Sequence, residues 1–335
     1  MTRQTEFLNR VKERSADGDV FFRPILMQFA AHHIGVSYRD FYLDHKNLVA
    51  ANIACMDAFG MDAVGLISDP MREAEAFGAH CEYHAETVPY CADLPVKTMA
   101  DVLALPAPDV TTARRTQDRI AGARLFRRRL GDGVPVIGWI EGPLAEACDL
   151  VGVMGMMMKL ARDPEFSQRL LARLVPTAKA FALAQIEAGC DIIGMGDAIC
   201  SQISPKMYTD QVKEHHREII DFIHDQGAMV KVHICGNITH LLPHLRELGP
   251  DIVDLDWMVD MDQAYKTLGP DIIRAGNLDP AGVVEQMTAE EVYDRTRALV
   301  KSERGRPFIL SGGCEITPLT SPENLMAMRE ASRAR

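Results

Sequence analysis

The chain lacks a basic balance: 36 Lys and Arg stand against 47 Asp and Glu, a formal net charge of -11. Nucleic-acid surfaces need stripes of Lys and Arg to displace counterions from phosphates, so nucleic acid is excluded as a main partner. The one basic cluster, Arg124 to Arg129, lies in a helical stretch and reads as a solvated face. Long apolar runs are also missing. Leu150 to Met158 is among the longest, about half of what a membrane helix needs, so no membrane span is expected. The start, MTRQTEFLNRVKERS, is polar and helical, so no secretory signal is expected there. Eight cysteines scattered through such a chain point to a reducing cytoplasm, as buried thiols or ligands rather than disulfides. No GxGxxG follows the first predicted strand, which weakens a dinucleotide-binding reading. Internal repeats and low-complexity tracts are absent, and one domain spanning residues 1–335 is expected.

What is present is an ordinary globular mix, 47% hydrophobic and 25% charged, able to bury a large core. Eight short apolar runs stand out: Val20–Gln28, Asp62–Asp69, Val134–Glu141, Cys190–Asp197, Met229–Cys235, Asp251–Trp257, Asp271–Leu278 and Pro307–Cys314. Near-continuous runs of this length suit strands buried on both faces of a parallel sheet. Helical stretches separate most of them, among them Tyr38–Phe59, Ala145–Arg162, Pro164–Ala188, Pro205–Gln226 and Ala289–Glu303. Several open with a capping residue before Pro, as in Asp163-Pro164 and Ser204-Pro205. Eight strand–helix units predict an α/β fold, a closed (β/α)8 TIM barrel, over an open doubly wound sheet. Pro70–Gly133 exceeds one helix and predicts an insertion over the barrel mouth after the second strand.

In such a barrel, functional groups sit at the C-terminal strand ends. Those ends supply Asp69, Glu141, Asp197, His233 with Cys235, Asp256, Asn277 and Cys314, a polar set for positions that terminate apolar runs. His233 and Cys235 are two apart and share a strand face with Lys231. One imidazole and one sulfur side by side suit Zn²⁺, and barrel closure brings Cys314, after Gly312-Gly313, to the same mouth. The competing reading is plain burial, since free cysteine is among the most buried residue types. Cys55, Cys81, Cys91, Cys148, Cys190 and Cys200 fit that reading better, and His32-His33 and His215-His216 read as surface or loop residues.

The combination VHICGN, GNLDP and SGGCEI, together with SDPMREAEAFGAHCEYHAETVP, resembles the uroporphyrinogen decarboxylase superfamily. Within it the zinc-dependent corrinoid methyltransferase branch has a His-x-Cys…Cys motif, matched by His233, Cys235 and Cys314. The decarboxylases carry an arginine-rich entry of the form RQAGR. Here that region reads Met27-Gln28-Phe29-Ala30-Ala31-His32-His33 and has no arginine to anchor substrate carboxylates.

The resemblance implies methyl transfer between a corrinoid cobalt and a small methyl donor or acceptor: coenzyme M, another thiol, a folate, an aryl methyl ether or a methylamine. It makes His233, Cys235 and Cys314 the zinc ligands. Asp197 and Glu141 become candidates for catalysis, and Asn277 and Asp69 for cofactor binding. The nearest approach to the corrinoid signature Asp-x-His-x-x-Gly is Asp221 to Gly227, one residue too long and on a helix. A separate corrinoid protein or free methylcobalamin is therefore expected at the mouth, and a homodimer is compatible with the resemblance. The alternatives are a decarboxylase-type lyase and a non-catalytic metal-binding barrel.

Overall fold

A computed structural model describes residues 3–333, so the first two and last two positions of the expected domain lie outside the described residues. Eight strands form one parallel sheet: β1 (Phe21–Phe22), β2 (Val64–Gly65), β3 (Val136–Glu141), β4 (Ile192–Gly196), β5 (Met229–His233), β6 (Ile252–Leu255), β7 (Ile273–Leu278) and β8 (Phe308–Gly312). Their order around the sheet is β1-β8-β7-β6-β5-β4-β3-β2. The two edge strands meet where the Asp62 amide donates to the Phe22 carbonyl (2.9 Å), and the Asp62 carboxylate accepts from the Phe22 amide (2.8 Å). This contact curls the sheet round on itself, and the fold is a (β/α)8 barrel.

Alternation sorts each strand into an inward and an outward set. Phe21, Ala63, Ile137, Ile192, Met229, Ile252, Ile273 and Ile309 pack into one apolar layer at the barrel floor. The helix Arg3–Asp17 plugs this end with Phe7 and Val11, and Phe7 meets Phe21 edge-on at 5.5 Å. Two residues further up, the inward positions turn ionic, and Lys231 Nζ lies 3.0 Å from Asp254. The outward set (Val136, Ile140, Ile193, Val230, Val232, Val253 and Leu310) joins the larger core shared with the helices.

The first two strands are much shorter than the apolar runs that predict them. In the first, Pro24 lacks an N–H and ends the ladder after Arg23. Three predicted helices are each two. Tyr38–Leu43 gives way to His45–Phe59 at Asp44, whose carboxylate caps the Lys46 amide (2.8 Å). Pro143–Val151 and Val153–Arg162 meet at Gly152 with φ 84°, a backbone that favours glycine. Pro205–Gln211 and Lys213–Asp225 break at Val212.

The insertion after β2 holds helix Met71–Ala76, a two-stranded hairpin (Cys81–Glu82 with Tyr90–Cys91) and helix Met99–Ala104, before the barrel helix Arg114–Leu130. On that last helix Arg124, Arg128 and Arg129 are exposed, while Arg127 reaches Asp191 at 2.6 Å. Among the described residues no helix is long and apolar enough to cross a membrane.

Candidate metal centre

His233 ends β5 and Cys235 follows two residues on, so both side chains turn to the mouth. The structure brings Cys314, from the end of β8, against them. His233 Nε2 lies 3.1 Å from Cys235 Sγ, the two sulfurs are 3.3 Å apart, and Cys314 Sγ is 3.8 Å from Nε2. Tetrahedral zinc with bonds of about 2.0–2.3 Å needs donors about 3.5–3.8 Å apart. Small side-chain movements convert the observed triangle into that one, so the donor set fits zinc in chemistry and in spacing.

Asp256 organises both cysteine loops. Its carboxylate accepts from the Gly236 amide (2.7 Å) and the Trp257 amide (2.8 Å). On the other side, a Cβ at Gly313 would lie 2.4 Å from Asp256 Oδ1, so only glycine lets the Cys314 loop come this close.

Behind the histidine, Asp254 Oδ2 accepts from Nδ1–H at 2.7 Å, which leaves Nε2 facing the sulfurs. Burial alone would lower the His233 pKa, but Asp254 and Cys314 override it and push it up to about 10. Hydrogen bonding from Cys235 holds Cys314 down at about 5, and the same contact together with burial raises Cys235. A metal held by these three groups takes them as a neutral imidazole and two thiolates, so its binding is coupled to the release of protons.

The three donors line a cavity of about 220 Å³ together with Ile25, Met27, Ile67, Pro70 and Trp139, and the acidic residues Asp69, Glu141 and Glu315. The Trp139 ring fills space left by two glycines on β4: a Cβ at Gly194 would lie 2.4 Å from it and one at Gly196 2.9 Å. Asp69 accepts from the Met71 amide (3.0 Å), Ser68 (2.8 Å) and Arg115 (2.5 Å). Burial would raise its pKa, but Arg115 and Arg72 hold it below the ordinary value. Glu141 meets Arg72 at 2.6 Å, yet burial, with Glu73 nearby, pushes it up to about 7. Burial does the same to Glu315, also to about 7.

Two expected site residues are not in this cavity. Asp197 is fully buried, and its oxygens accept from the Leu144 and Ala145 amides (3.1 and 2.8 Å) and from His216 Nε2 (2.8 Å). It caps the helix Pro143–Val151 from behind, and its neighbours Gly196 and Ala198 line the cavity instead. Asn277 donates to the Val259 carbonyl (2.8 Å) and holds a loop. His216, expected at the surface, is completely buried between Asp197 and the Tyr208 hydroxyl (2.9 Å). Sequence reasoning missed Trp139, Asp254 and Glu315. An acid inside the apolar run of β6 was the available signal for Asp254.

The chain matches the family model described as uroporphyrinogen decarboxylase (URO-D) over residues 21–335. Similar curated proteins include the uroporphyrinogen decarboxylases of Myxococcus xanthus and Nocardia farcinica. The first is 30% identical across 86% of this chain and 82% of that protein; the second is 32% identical across 81% and 78%. Among solved structures, a methyltransferase from Methanosarcina mazei superposes with TM-score 0.84 at 20% identity, covering 96% of this chain and 98% of that one. A B12-independent methionine synthase from Shewanella shares the fold more loosely, with TM-score 0.57 at 15% identity over 85% and 86%. On the extent of the family match and the identity to those relatives, this chain belongs to the uroporphyrinogen decarboxylase family.

Proposed function

We propose that the protein is a zinc-dependent methyltransferase that moves a methyl group between a corrinoid cobalt and a small substrate, the reaction taking place at the barrel mouth. The observation that carries this reading is the convergence of His233, Cys235 and Cys314 on one cavity, with their donor atoms 3.1 to 3.8 Å apart. The shared fold of the Methanosarcina methyltransferase supports it.

Zinc held by these three groups would bind a thiol as its thiolate, a gain of roughly 30-fold, about 2 kcal/mol, over a thiol only a few per cent ionised at neutral pH. The rest falls to the chain. Asp254 keeps the His233 proton on Nδ1 and the lone pair on Nε2. Trp139, Ile25, Met27 and Ile67 exclude water from the reacting atoms and restrict the approach of the methyl group, and such positioning is worth more than ionisation. With a thiol acceptor, an S–C bond forms as the Co–C bond breaks. The electron pair stays on cobalt, and the thiol proton leaves to solvent. Trp257, Met258 and Leu319, exposed on loops after β6 and β8, offer the corrinoid or its carrier protein an apolar rim.

The names of the curated relatives favour decarboxylation as the second reading. It asks for cations to hold a porphyrinogen's carboxylates. No Lys or Arg is among the residues lining the cavity, and Arg23 is buried within the barrel. Two assays decide. The purified protein should carry close to one zinc per chain and demethylate methylcobalamin in the presence of a thiol. Release of CO₂ from uroporphyrinogen without either property would establish the decarboxylase.

A further inference from the structure

The charges around the cavity sort its substrates. Besides the metal donors, every ionisable residue lining it is acidic: Glu141, Glu315 and Asp69, the last with its side chain fully buried against Arg115. The two arginines nearby are already committed. Arg115 binds Asp69 at 2.5 Å, and Arg72 binds Glu141 at 2.6 Å and lies 3.4 Å from Glu73. Both arginines are fully buried behind these acids, so neither guanidinium reaches the cavity to meet a substrate anion. Lys231 is likewise held below by Asp254 at 3.0 Å.

Glu315 differs from the other two acids. One oxygen accepts from the Gln28 amide at 3.0 Å, and among the described residues it makes no ion pair. It lines the same cavity as His233, Cys235 and Cys314. Ile25, Met27, Ile67, Pro70 and Trp139 form the remaining walls and offer hydrocarbon contact. A sulfonate, carboxylate or phosphate in about 220 Å³ would face acids and hydrocarbon with no countercharge. An ammonium would find the Glu315 carboxyl, which pairs with no cation among the described residues.

We propose that the small substrate is cationic: a short aminothiol, or its methylated thioether, with its ammonium group on Glu315 and its sulfur at the open position beside His233, Cys235 and Cys314. This deepens the methyltransfer reading and rests on it for the placement of the sulfur. The proposal excludes anionic thiols, including the sulfonate-bearing coenzyme M that the sequence resemblance admits.

The test is a matched series on the zinc-loaded protein, read by calorimetric binding. 2-Aminoethanethiol, 2-mercaptoethanol and 2-mercaptoethanesulfonate share one S–C–C skeleton and differ in the charge at its far end. Their S-methyl thioethers repeat the series without an ionising thiol, so differences in thiol acidity drop out. The amine should bind about 10-fold tighter than the alcohol, and the sulfonate weakest, in both series. Glu315→Gln should bring the amine down to the alcohol, and Glu315→Asp should keep the preference, with zinc content measured for each. Equal or tighter binding of the sulfonate by the unaltered protein overturns the proposal whatever the variants do. Failure of the two claims is separable. If methylcobalamin is untouched by any thiol while the amine still binds best, methyl transfer is wrong and the charge selection stands. If the methyl group passes readily to the sulfonate thiol, the charge selection is wrong and methyl transfer stands.

Discussion

Two histidines in this barrel are each held by a buried aspartate, and only one of them has a nitrogen left over. His233 gives Nδ1–H to Asp254 and turns Nε2 toward two sulfurs and a cavity. His216 gives Nε2–H to Asp197 and meets the Tyr208 hydroxyl with its other nitrogen. The second cluster, with Cys200 beside it, also assembles three groups of metal-ligating type within 4.8 Å. Its carboxylate already accepts from two backbone amides as well, so its hydrogen-bonding capacity is spent on joining β4 to the helix Pro143–Val151. A histidine–carboxylate pair is therefore a scaffold element or a metal-site element according to what its free nitrogen faces.

The contrast is sharpest at the ligands. Cys235→Ser or His233→Ala should reduce zinc from near one per chain to under about a tenth while the circular dichroism stays that of a barrel. Metal analysis reads the result, and full zinc retention by either variant would remove the site. The scaffold cluster should behave in the opposite way. Asp197→Ala leaves a buried imidazole and two amides without their acceptor and should cost about 3–5 kcal/mol in urea unfolding, with zinc per folded chain unchanged. Loss of zinc at unaltered stability would reverse the assignment. Between them stands Asp254→Asn, which keeps the volume and weakens the grip on Nδ1–H. Zinc affinity should fall about 10- to 100-fold in chelator competition. An affinity within twofold of the original would mean that Asp254 serves only Lys231.

Much of this was legible in the sequence, and strand alternation explains which part was not. The eight apolar runs, the extra length after the second strand and the His-x-Cys spacing each leave a local signal. The floor residues Ile137, Ile192 and Met229 set the inward phase of β3, β4 and β5. Counting by twos from them reaches Glu141, Gly196 and His233, and Glu141 and His233 do line the cavity. Asp197 falls on the odd count and points to the helix behind. Proximity to a strand end was therefore too coarse a rule, and parity separates the two acids. Glu315 and His216 needed tertiary knowledge. Each is defined by a partner distant in the chain, the Gln28 amide for one and Asp197 for the other.

The smallest expected effect distinguishes a cavity acid from a scaffold acid by its response to pH. Burial and the neighbouring Glu73 push Glu141 from an ordinary 4.5 up to about 7. A carboxyl raised on folding binds more protons in the folded state between these two values. Its contribution to stability is fully present below about 4.5 and is lost as pH rises through about 7. A displacement of this size is worth at most about 3 kcal/mol. Because Glu73, itself raised, shares the same arginine, about 1–2 kcal/mol is expected from Glu141 alone. Glu141→Gln should flatten the fall in urea midpoint between pH 5 and pH 7.5 by that amount, since the amide has no proton to lose and can still accept from Arg72. Parallel profiles for the two proteins would mean that Glu141 is ionised throughout, neutralised by Arg72 as Asp69 is by Arg115.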